Sequence, residues 1–185
     1  MERDEKYIRK TIKRDKKAQM QLSFGMIFSI ILIIIFLALA FYAIKYVLST
    51  QDLIKIRTSI NDMQEDTNEI YRSSGGNYET SNEYDFPGSI KEICFIDYHC
   101  GGGSCLRGSG DSDIYDEMEL YYDNKKNLFF YPEGSSEGVN SAEIKNIDIK
   151  KITETDNPYC IENEKGVEIY LKKVQGNPLI IIERT

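Results

Sequence analysis

The sequence predicts an α+β protein. A long N-terminal transmembrane helix continues into an amphipathic helix, and a small antiparallel β-sheet domain with one short helix follows. Three observations predict this. No Asp, Glu, Lys, Arg or His occurs in the 27 residues between Lys17 and Lys45, in a chain of 185 residues that holds 23 Lys+Arg and 30 Asp+Glu. Beyond that gap, apolar and small residues recur at alternating steps of three and four. From Ser89 onward the pattern changes to short β-branched and aromatic runs separated by Gly- and Pro-containing turns.

The charge-free stretch is the element the average composition conceals. A mean hydropathy of −0.42 reads as an ordinary soluble chain. A bilayer core is crossed by roughly 20 apolar residues in a helix, and the run from Leu22 to Ile44 meets that length. Residues 1–18 carry eight bases against four acids, and the remainder 15 bases against 26 acids, so the formal net charge of −7 divides into +4 and −11. Basic flanks stay on the cytoplasmic side, which predicts a basic cytoplasmic leader (1–18), a span (19–48) and the C-terminal domain outside. A secretory signal peptide has a shorter apolar core, roughly 7–15 residues, ending in small residues at a cleavage site. Thr50, Gln51 and Asp52 offer no such site, so the run reads as a retained anchor in the lipid bilayer.

Lys16-Lys17-Ala18-Gln19, placed directly before the apolar run, resembles the class III signal of archaeal type IV pilins and archaellins. The resemblance implies cleavage on the cytoplasmic side between Ala18 and Gln19, a mature chain that begins at Gln19, and packing with other copies or pilin-like subunits through the N-terminal helix. One departure stands at the fifth mature position, often Glu in that family and Ser23 here. The span, together with the segment Asn-Leu-Phe-Phe-Tyr-Pro at 127–132, is also similar to single-pass membrane proteins of small-genome archaea with β-rich C-terminal domains. That similarity implies no activity. An uncut anchor with basic flanks is the alternative.

Past the span, Tyr46, Ser49, Leu53, Ile56, Ile60, Met63, Thr67 and Ile70 form a seam with heptad spacing. No Pro or Gly falls in 26–74, so the helix is expected to run on to Arg72, about 70 Å from Gly25 at 1.5 Å per residue. This juxtamembrane helix (49–72) either packs on the chain's own β-domain, the favoured reading, or pairs with another copy. Gly25 and Ser29 form a small-xxx-small pair that permits close approach of helices. Residues 73–88 are polar and end in Pro87-Gly88, which predicts a linker.

The extracytoplasmic domain is assigned to 89–185. Strands are expected over 90–97, 127–131, 142–152, 167–171 and 179–183. Val167, Ile169 and Leu171 alternate with Glu168, Tyr170 and Lys172, the mark of a half-buried strand. Turns at 162–166 and 175–178 suggest an antiparallel meander in the last third. Ser112 is expected to cap a short helix reaching about Tyr122, with Asp113 and Asp116 in its first turns.

Four cysteines, Cys94, Cys100, Cys105 and Cys160, lie on the predicted outer side, where disulfides persist. Three pairings exist. The favoured one joins Cys94 to Cys160, both in apolar runs, and Cys100 to Cys105 around a glycine loop. Four cysteines with the lone His99 could instead ligate zinc, but the spacing lacks paired C-x2-C knuckles. The glycine-rich stretch 101–110 has no Gly-Lys-Ser/Thr ending. The acids Asp111, Asp113, Asp116 and Glu117 lack EF-hand spacing and read as a helix N-terminus. The expectation is therefore no enzyme, no cofactor, no metal and no nucleic acid, the last because an outer domain of net −11 repels polyanions. The function expected is a pilin-like structural or envelope component. A membrane-anchored binding module for a ligand or partner protein is the alternative.

Overall fold

The structure, a computed structural model, describes residues 24–74, 76–99, 105–109, 111–121, 123, 125–164 and 166–184. The expected cleavage point at Ala18 and Gln19, and the Cys100 end of the expected Cys100–Cys105 bridge, lie outside these residues. The chain divides into two compact units, with the boundary between Val47 and Leu48. One helix, α1 (Phe24–Arg72, 49 residues), runs through that boundary without a break. In the first unit it is apolar and exposed on every side, with Ile33 and Ile34 at 58% and 60% exposure. This stretch is long and apolar enough to cross a membrane. Within this stretch the Ser29 hydroxyl is satisfied by donating to the Gly25 carbonyl at 2.8 Å.

In the second unit α1 becomes a core element. Ile56, Ser59, Met63, Thr67 and Ile70 are buried, while Leu53 and Ile60 are half-buried and Tyr46 is exposed. The expected seam is thus occupied from Ile56 onward, in a packing against this chain's own sheets. Ser59 takes the inner position beside Ile60 because its hydroxyl donates to the Asp85 carbonyl at 2.7 Å. The buried Thr67 hydroxyl is satisfied by the Met63 carbonyl at 2.7 Å. At the C-terminal end, the Lys173 ammonium donates to the carbonyls of Ile70, Tyr71 and Ser73 at 3.2, 2.9 and 2.7 Å. A cation there serves acceptors that helix geometry leaves unpaired and opposes the negative end of the helix dipole.

Seven strands form two antiparallel sheets among the described residues, more than the sequence suggested. They are β1 (Tyr78–Tyr84), β2 (Glu92–Phe95), β3 (Leu128–Tyr131), β4 (Ser141–Ala142), β5 (Tyr159–Glu162), β6 (Val167–Lys173) and β7 (Ile180–Arg184). The first sheet has the order β1-β6-β7 and the second β4-β3-β2-β5. Three short helical expectations change. Asp111, not Ser112, caps α2 (Ser112–Glu119), accepting from the Asp113 and Ile114 amides at 2.8 and 3.3 Å. That helix ends before the expected Tyr122. A second helix, α3 (Ile149–Ile152), capped by Asp148, takes the end of the strand expected over 142–152, of which Ala142 alone belongs to a strand.

Two corrections concern topology. Residues 78–84, expected as linker, form β1 and pair along their whole length with β6. The 162–166 turn does not close a hairpin: β5 pairs with β2 and β6 with β1, so the turn carries the chain from one sheet to the other. The β6–β7 hairpin is formed as expected. Asn163, in the crossing turn, donates to the carbonyls of Pro87 and Ile90 at 3.0 and 2.9 Å. It fixes the other sheet-to-sheet passage, between β1 and β2.

Side chains on alternate sides of the second sheet enter different cores. Ile93, Phe95, Leu128 and Phe130 join α1 and the first sheet, whereas Cys94, Ile96 and Phe129 join Ile114, Tyr115 and Met118 near α2. Burial on both sides explains why 93–96 is a continuous apolar run. Truncating Met63, which is 0% exposed and central to the larger core, is expected to cost about 2–5 kcal/mol. Urea unfolding of full-length Met63→Ala in detergent micelles checks this, and an unchanged midpoint would place the helix outside the core.

Candidate functional site

The first ingredient of the site is strand register. Antiparallel pairing sets Glu92 directly opposite Glu162 in β2 and β5, and Glu83 directly opposite Glu168 in β1 and β6. Like charges in facing positions repel and are disfavoured in isolated sheets. Both pairs line one cleft of about 760 Å³ within the second unit, together with Asp111, Asp156 and Glu164. Among the described residues, the cation lining it is Arg184, whose guanidinium lies 5.5 Å from the centre of the Tyr159 ring. Such a lining lowers the local potential, so the cleft attracts cations and repels anions.

The loops around it are held by side chains that bond backbone. Asp156 accepts from the Ser109 amide and hydroxyl, both at 2.8 Å, and the amide bond is the main reason its carboxyl is held below its ordinary range. Gly108 has φ +63°, and a Cβ there would stand 2.1 Å from the Thr155 carbonyl oxygen, so the turn requires glycine. Beneath the loop, buried Asn157 donates to the carbonyls of Asp97 and Cys105, both at 2.8 Å, and accepts from the Asp97 amide at 3.1 Å. Next to Glu83 on β1, burial and then the hydrogen bond to Asp66 push the Tyr84 phenol well above its usual range.

Cys94 and Cys160 are joined by a disulfide between directly paired residues of β2 and β5. They are not available as thiolates in this state, so the four-cysteine zinc arrangement is not formed. His99 is distant from such a role as well: its amide donates to the Asp97 carboxylate at 2.8 Å, and its Nδ1 stands 3.9 Å from that same carboxylate. Asp113 and Asp116 lie on α2 and Glu117 accepts from the Glu133 amide at 2.5 Å. The acids at the start of α2 form the helix N-terminus expected of them, with Asp111 as cap and Asp113 in the first turn, and of the four Asp111 lines the cleft. The facing pairs Glu92–Glu162 and Glu83–Glu168 escaped sequence reasoning because partners 70 and 85 positions apart meet only through register.

No protein-family model, curated protein or solved structure matches this chain.

Glu92 lines the cleft with its carboxyl shifted in the opposite sense to that of Asp156. Burial first, then the charges of Glu162 and Asp111, raise its carboxyl above the usual glutamate range. A raised folded-state value means that the folded chain holds its proton longer than the unfolded one. Stability from this residue is thus fully present below the ordinary glutamate range and is lost as pH rises through the higher folded value. Glu92→Gln is expected to melt higher than the parent at neutral pH, with the gap closing toward about pH 4. Thermal unfolding across that pH range checks it; a gap that widens on acidification would reverse the assignment.

Proposed function

We propose that the protein is a single-pass membrane-anchored protein whose first unit lies in the bilayer and whose second unit is a pilin-like structural or envelope domain without catalytic activity. The observation that carries this reading is α1. One uninterrupted helix is apolar and exposed all round before Val47, then amphipathic and buried along one stripe after Leu48. A helix apolar on every side needs an apolar solvent, whereas a helix with one buried stripe belongs to a water-facing domain. The change occurs within a few residues of Lys45, whose long stem can reach the interface.

The charge partition supports an orientation with the N-terminus in the cytoplasm and the domain outside. The Cys94–Cys160 bridge is compatible with an oxidising outer compartment. Processing between Ala18 and Gln19 would leave Gln19 as the first residue and retain the helix. The Gly25 and Ser29 pair offers a close-packing surface for other copies in the bilayer.

The acidic cleft is the observation that favours the alternative, an uncut membrane-anchored module that binds a partner. N-terminal sequencing of the protein isolated from native membranes separates the two. A chain beginning at Gln19 is the expected result, and an intact Met1 contradicts the pilin-like reading.

A further inference from the structure

The disulfide and the facing carboxylates are parts of one constellation. Cys94 and Cys160 are direct partners across β2 and β5, and Glu92 and Glu162 are the next same-face partners along those strands. Residues two apart project to the same side of a strand, so all four side chains stand on one face. A carboxylate oxygen of Glu92 and the sulfurs of Cys94 and Cys160 all lie within 4.8 Å of one another. We propose that when the Cys94–Cys160 bridge is reduced, these two sulfurs and Glu92, with Glu162 as the fourth donor, bind one thiophilic divalent cation such as zinc.

The donor chemistry favours such an ion. Zinc takes thiolate sulfur at about 2.3 Å and carboxylate oxygen at about 2.0–2.2 Å, in tetrahedral sites whose donors stand roughly 3.5–3.8 Å apart. The Glu92 oxygen already stands within 4.8 Å of both sulfurs, so once the bridge is reduced the three donors start from neighbouring positions on one sheet face. Thiolates select zinc, cadmium and similar soft cations over calcium and magnesium, which prefer oxygen. Cys94 is buried, whereas Glu92 and Cys160 are half-buried and line the cleft, which gives an entry path. The remaining acids of the cleft draw cations toward it. The ion would also remove the repulsion between Glu92 and Glu162.

The electron balance is simple. The bridge takes up two electrons and two protons to give two thiols. A trialkylphosphine supplies the electrons and becomes the phosphine oxide, with water giving its oxygen to phosphorus and its two hydrogens to the sulfurs. Metal binding then displaces the two thiol protons to solvent. The oxidised bridge is a strap and the reduced pair is a ligand set, so occupancy follows redox state.

The test uses the full chain in detergent micelles with Cys100→Ser and Cys105→Ser, reduced by a phosphine, freed of reductant and titrated with cadmium chloride. The expected result is a thiolate-to-cadmium charge-transfer absorption that saturates at one equivalent and is absent from the oxidised chain. Adding Glu92→Gln should weaken binding about tenfold or more, whereas Glu79→Gln, outside the cleft, should leave it unchanged. Absence of the absorption in the folded, reduced chain overturns the proposal, as does equal affinity in the Glu92→Gln form or equal binding by the oxidised chain. If the reduced chain loses its far-ultraviolet circular dichroism, one equivalent of cadmium must restore it, and failure to do so overturns the proposal. Should the serine variant not fold even when oxidised, the four-cysteine chain is titrated instead. There, an affinity indifferent to Glu92→Gln is the overturning result.

Discussion

Burial of one stripe of α1 under the two sheets is the constraint on which the domain depends. Ile56, Met63 and Ile70 lie in a single cluster with Ile93, Phe95, Leu128 and Phe130 from one sheet and Val167, Ile169, Leu171 and Ile180 from the other. Neither sheet is large: three strands and four. Small sheets need a second layer to bury their apolar faces, and here one helix supplies it to both. Apolar burial of this kind is worth roughly 25 cal/mol per Å². Around it, polar side chains hydrogen-bond the helix to the surrounding chain. Asp66 accepts from Asn82 at 2.5 Å and Tyr84 at 2.7 Å, Gln64 accepts from the Lys145 amide at 2.7 Å, and Lys173 closes the helix end.

What could be read from the sequence follows from where each signal arises. The span, the stripe and β6 are visible because each follows a period that burial imposes: continuous, three-four and two. β1 is invisible by the same logic. Its sequence, Tyr-Glu-Thr-Ser-Asn-Glu-Tyr, is mostly exposed or half-buried and carries no apolar alternation, and it becomes a strand by pairing with β6. Ser59 is polar and so falls outside an apolar pattern, although its small size and hydroxyl suit it to the contact with the Asp85 carbonyl. The Cys94–Cys160 pairing was accessible because both cysteines sit in apolar runs. The cleft was not, since its defining contacts depend on which residues face one another across strands.

The same register that places a disulfide between β2 and β5 places two carboxylates beside it. A sheet optimised for stability alone would put opposite charges at Glu92 and Glu162, and likewise at Glu83 and Glu168. Two like-charged pairs facing one cleft form a local conflict of the kind that concentrates at functional positions. The redox-dependent cation site is a specific resolution of one of them. It is independent of whether the leader is processed and of whether copies associate in the membrane.

The domain holds together only with α1 as part of its core rather than as a tether to it. Cooperative thermal unfolding of two fragments, 48–185 and 73–185, tests that most directly. The first retains the stripe that closes the core and should unfold in a single sharp transition with native near-ultraviolet circular dichroism. The second lacks it and should show no cooperative transition. If 73–185 unfolds as sharply and at the same temperature as 48–185, the helix is a passive stalk and the central claim fails.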